Sequence, residues 1–117
     1  MADDNIAVLR EDLARSLAAG RWGEAAAVAV FLGFEPVAGH PRFARYVGPA
    51  GVSWPAALKD PTWSEGERFL IATAAGLWTG RPCGADVCRV PFLDDGFYEA
   101  WLAMVTAART GKVRGDG

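Results

Sequence analysis

The chain has 117 residues, a formal charge of −2 from 12 basic and 14 acidic side chains, 51% hydrophobic residues and 22% charged ones. This is the size and composition of one globular domain, large enough to bury a core without disulfide staples. The mixed charge gives no electrostatic reason to expect nucleic acid, and no apolar run reaches the roughly 20 residues that cross a bilayer.

The N-terminus carries Asp3 and Asp4 where a secretory signal would carry positive charge. The expected compartment is therefore the cytoplasm, where Cys83 and Cys88 would be free thiols. Either acid can cap a first helix running to about Ala19, stopped by Gly20. Ile6, Leu9, Leu13 and Leu17 form its apolar stripe, and Arg10, Glu11, Asp12 and Arg15 its solvent face. The turn AGRW leads to EAAAVAVFL, closed by Gly33. With no polar face after Glu24, this second helix is expected to be buried on most sides.

From Phe34 to Thr62 the helical pattern breaks, and five of the seven prolines fall here. Short helices are expected near Pro41–Tyr46 and Pro55–Lys59, because proline suits the first helical turn. Phe43, Tyr46 and Trp54 are expected to turn this segment back onto the core. In PTWSEGERFLIATAAGLWTG (61–80), Ser64 and Glu67 have capping-box spacing, and Gly80 with Pro82 supplies the stop. A helix so apolar between Phe69 and Trp78 belongs at the centre of the domain or in an interface. The connector RPCGADVCRVPFL (81–93) suggests a short extended piece at Val87–Val90. Asp94 or Asp95 then caps a last helix to about Arg109, with Gly111 beyond it. Its inner stripe is expected to hold Phe97, Trp101, Met104 or Val105, and Ala108. Together these elements predict an all-α domain over residues 1–111, a compact bundle of four main helices with one or two short helices in the proline-rich middle. A flexible tail (112–117) follows.

Candidate chemistry is sparse. Cys83 and Cys88 are spaced C-x4-C, and zinc would need His40 and Asp86 to complete four ligands, so two thiols are the simpler account. Arg81 and Arg89 could favour a thiolate at either cysteine. Every hydrolytic triad would have to use His40, the single histidine, and no nucleophile elbow accompanies it. The acid pairs Glu65/Glu67 and Asp94/Asp95 stand at helix starts, where the dipole already accounts for them. There is no phosphate-binding glycine loop, and the tail tripeptide Arg114-Gly115-Asp116 reads as chance. No catalytic residue, metal site or cofactor is expected.

The five tryptophans, Trp22, Trp54, Trp63, Trp78 and Trp101, are expected to be core anchors with about one left for a partner. Two stretches carry a resemblance. LAAGRWGEAAAVA (17–29) resembles the helix–turn–helix of a tetratricopeptide-type unit and implies an antiparallel helix pair. Residues 61–111 are similar to small uncharacterised helical proteins of actinobacteria and their phages. The matching positions are Ser64, Gly66, Glu67, Arg68, Leu77, Trp78, Gly80, Leu93, Asp94 and Asp95. That similarity implies a bacterial helical fold and no mechanism. The Arg-rich, Ala-rich composition agrees with a GC-rich bacterial genome.

The leading expectation is a small non-enzymatic protein that binds a partner protein or itself, because two all-round apolar helices are hard to cover in so small a domain. Its candidate surface is His40, Arg42, Arg45, Tyr46, Trp54 and Trp63, around the middle segment. One alternative is a small-molecule binder or enzyme with a Trp-lined pocket under residues 34–62, using His40, Arg42 and Cys83. The other is a nucleic-acid-associated factor using Arg42, Arg45 and Lys59.

Overall fold

The computed structural model describes residues 2–18, 23–39, 41–49 and 51–111. Four longer helices carry the fold: α1 (Ala2–Ala18), α2 (Gly23–Leu32), α6 (Glu65–Thr79) and α7 (Asp95–Thr110). Between α2 and α6 lie α3 (Glu35–Ala38), α4 (Pro41–Ala44), the strands β1 (Val47–Gly48) and β2 (Gly51–Val52), and α5 (Trp54–Lys59). The protein is mostly helical, and no helix among the described residues is long and apolar enough to cross a membrane.

The local signals at α6 act as the sequence predicts. The Glu67 amide donates to Ser64 Oγ at 3.2 Å and the Ser64 amide donates to Glu67 Oε1 at 2.7 Å, closing the capping box. Gly80 ends the helix with φ +72°, a conformation that glycine adopts without strain. At α7 the choice falls on Asp94, whose carboxylate accepts from the Phe97 amide at 2.8 Å. Gly111 closes that helix.

Elsewhere the structure corrects the expectation. The all-α reading misses an antiparallel strand pair, Val47 opposite Val52 and Gly48 opposite Gly51. Gly51, at φ +114°, takes backbone space that other residues enter at a cost. The middle segment holds three short helices, α4 stops at Ala44, and α5 starts at Trp54. The extended piece at Val87–Val90 is instead a 3-10 helix, Val87–Phe92, because the Asp86 carboxylate accepts from the Cys88 amide at 2.9 Å and caps it. Helix α1 begins at Ala2, so Asp3 and Asp4 lie within its first turn rather than ahead of it. Its expected stop at Gly20, the turn at 19–22 and the tail at 112–117 lie outside the described residues.

One hydrophobic cluster joins every part. Helix α2 lies against α1, α6 and α7, and this accounts for its burial from Ala25 to Val28 and at Phe31 and Leu32. Gly23 permits the closest approach: a Cβ there would stand 1.8 Å from the Ala108 carbonyl oxygen of α7. From α1, Leu13 is buried and Leu9 packs at the margin, as the stripe predicts. Helix α6 is buried from Phe69 to Ala75 but emerges at Trp78, which is 43% exposed. The inner stripe of α7 is Ala100, Met104 and Ala107, with Phe97 and Trp101 half-buried beside it. Small residues at Ala100 and Ala107 let α7 approach α2 and α6, so the larger rings sit to the side. The middle segment does fold back: Phe31 of α2 meets Phe43 at 5.1 Å and Trp54 at 6.1 Å between ring centroids.

Candidate functional site

Arg42, Tyr46 and Trp63 of the predicted surface come together, but as a clamp that pins the middle segment to the start of α6. The Arg42 guanidinium stacks 4.4 Å from the centre of the Trp63 ring and donates to the Thr62 carbonyl at 2.9 Å. It also lies 3.5 Å from Glu67, the acid of the capping box. The Trp63 indole N–H donates to the Ala57 carbonyl at 3.0 Å. Asp60 ties the other side. Its carboxylate accepts from the Tyr46 hydroxyl at 2.6 Å and from the Thr62 amide at 2.9 Å, while its carbonyl accepts from Arg68 at 3.1 Å.

These donors hold the Asp60 carboxyl down to about 2, the Thr62 hydroxyl foremost and the Tyr46 hydroxyl next. The same bond to Asp60 pushes the Tyr46 phenol above its ordinary value. The arrangement stabilises structure and activates no nucleophile. Trp54 and Trp63 are 6% and 4% exposed, so their rings are core and not a contact surface. Arg45 is exposed, and His40 lies outside the described residues.

The other sequence candidates are absorbed in the same way. Glu65 pairs with Arg89 at 3.0 Å, which takes that guanidinium toward a carboxylate. Cys83 and Cys88 are both free thiols. Asp86 raises the Cys88 thiol above its ordinary value through a hydrogen bond and its charge, against the expectation that neighbouring arginines would favour a thiolate.

Two surface features remain, the first missed by sequence reasoning and the second bordered by the middle segment, where a Trp-lined pocket was one of the alternatives. The first is an open apolar trough of about 750 Å³ between the second half of α6, the connector and α7, lined by Leu77, Cys83, Val87, Trp101 and Val105. On α7, next to its lining residue Trp101, Tyr98 and Leu102 are exposed. The signal was present in the spacing: Tyr98, Leu102 and Val105 form a second apolar stripe on α7, next to the one that faces the core. The second feature is a smaller, half-enclosed pocket of about 210 Å³ between α1, the β1–β2 hairpin and the end of α6, walled by Trp54 and Trp78.

Comparison with known protein families, with curated proteins and with solved structures finds no match to this chain. The functional reading therefore rests on these surfaces alone.

Proposed function

We propose that this chain is a small non-enzymatic interaction protein of the cytoplasm, a four-helix bundle that associates with a second copy of itself through the α6–α7 trough. The observation that carries this reading is the apolar surface concentrated on one side of α7. Tyr98 and Leu102 are exposed there beside the half-buried Trp101 and Val105. Single exposed apolar residues are ordinary on a monomer, but a contiguous set around an apolar trough is the mark of a contact face.

The charges beside that set favour a copy of the same chain. Arg81 and Asp86 both border the trough. A twofold axis through it can set the Arg81 of each protomer toward the Asp86 of the other, as self-complementary dimers do. The predicted surface around Arg42 is a weaker choice, because its two tryptophans are buried and its guanidinium is held within the fold. The nucleic-acid reading weakens for the same reason, retaining Arg45 and Lys59 as exposed cations.

Sedimentation equilibrium tests the proposal. The wild-type chain is expected to show a mass above the 12.4 kDa of one copy, rising with concentration. Leu102→Glu and Tyr98→Lys should return it to the monomer while leaving the helical signal and unfolding midpoint in place. A wild-type protein that stays monomeric at millimolar concentration would sink self-association, and would leave a different protein as the occupant of the trough.

A further inference from the structure

We propose that two copies of the chain meet through α7 itself, packed antiparallel with the twofold axis at Leu102, so that Asp95 of each copy faces Arg109 of the other. This inference rests on the self-association proposed above and fixes its register.

The observation is a row of side chains along one side of the helix. Asp95, Tyr98, Leu102, Thr106 and Arg109 follow one another at spacings of three and four, so they share a face. All five are exposed, while Ala100, Met104 and Ala107 on the opposite side are buried. The row is symmetric about Leu102. Asp95 lies seven residues before it and Arg109 seven after; Tyr98 lies four before and Thr106 four after. Reversing the helix about that point lays the row on a copy of itself, which is what an isologous twofold contact needs.

The chemistry of the row is complementary under that reversal. The acidic end meets the basic end, and the apolar centre meets itself. Among the described residues, neither Asp95 nor Arg109 has a side-chain hydrogen bond or an ion pair, unlike Glu65 and Arg89, which are already joined. A parallel pairing would instead set acid against acid and arginine against arginine. Asp95 and Arg109 each stand about 10 Å along the helix from Leu102. A shallow crossing of about 20° keeps them within reach of an arginine side chain. The same register lays each Tyr98 against Val105 and Thr106 of the other copy, and Val105 lines the trough, so each tyrosine covers the edge of the facing trough.

The test is a charge-reversal cycle on the full chain, read by sedimentation equilibrium. Asp95→Arg or Arg109→Asp alone is expected to weaken dimerisation about five- to fiftyfold, because each contact occurs twice and attraction becomes repulsion. The double variant restores the pair in reverse order and should dimerise within about threefold of wild type. Each charge also complements its own helix end, but that contribution moves the unfolding midpoint and not the dimer constant, so both are measured. A second reading uses Leu102→Cys in a Cys83→Ser, Cys88→Ser background. Residues facing each other across the axis come close enough for a disulfide, so oxidised glutathione should yield a covalent dimer. A wild-type dimer that is indifferent to the single reversals, is not restored by the double one, or gives no crosslink at Leu102 overturns the antiparallel register and leaves self-association standing. A monomeric wild type overturns both.

Discussion

Asp60 accepts from Tyr46, from Thr62 and, through its carbonyl, from Arg68, so one residue joins the residue just before β1, the turn after α5 and the first turn of α6. Each of these bonds to the carboxylate favours its charged form, which is why the carboxyl sits near 2 and not near its ordinary value of about 4. The linkage has a definite sign. With the folded value below the unfolded one, the contribution to stability is complete above about pH 4 and is lost as pH falls toward 2. Tyr46 works in the opposite direction, since its raised phenol stabilises the fold until pH climbs past the ordinary value of 10. Asp60→Ala is therefore expected to lower the urea midpoint at pH 7, with the gap to wild type closing between pH 4 and pH 2. A gap that stayed constant with pH would show that the carboxylate is not the operative group. Asp60 and Thr62 were both in view in the sequence. Their bonds were not, because Tyr46 lies fourteen residues upstream and reaches Asp60 through a hairpin that no local signal specified.

At the scale of elements, helix ends were the most legible features, since a cap depends on residues three apart. Ser64 is such a cap, and Ser64→Ala should cost about 1 kcal/mol while Ser64→Gly costs only a few tenths, read as shifts in unfolding midpoint. Equal losses for the two variants would argue against the cap. Helix faces were less legible. Ala100 and Ala107 are weak apolar signals beside Trp101, yet they take the core positions because they allow α7 to come close to its neighbours. Gly23 serves the same contact from the α2 side. Alanine there gains about 1 kcal/mol of helix propensity, but its Cβ would overlap the Ala108 carbonyl, and overpacking commonly costs more. Gly23→Ala is accordingly expected to be a net loss of roughly 2 kcal/mol in urea unfolding. A gain would mean that α2 and α7 separate freely.

For the molecule as a whole, Phe31 is the joint between the bundle and the middle segment. It is fully buried on α2 and meets both Phe43 and Trp54. Phe31→Ala removes a ring from three elements at once, and such truncations cost about 3–5 kcal/mol. Against the roughly 5–15 kcal/mol that holds a domain together, that is a large share. A broadened, low-temperature melt is expected in calorimetry, with loss of the tertiary signal over residues 34–60 before the helical signal. A cooperative melt close to wild type would show that the middle segment is anchored elsewhere, by the Arg42 and Asp60 clamp.

What the amino-acid sequence determined by itself was local: helical content, the cap at Ser64 and an acidic cap at Asp94 or Asp95, the stops at Gly80 and Gly111, and the burial of α2. Each depends on residues within one or two turns, where backbone chemistry alone decides. Only the tertiary structure decided which apolar residues are core and which are surface. It placed Trp54 and Trp63 inside and left Trp78, Tyr98, Leu102 and Phe92 outside. The reason is geometric: helical spacing marks stripes, but which stripe is covered depends on how closely two helices approach. Here a glycine and two alanines set that approach.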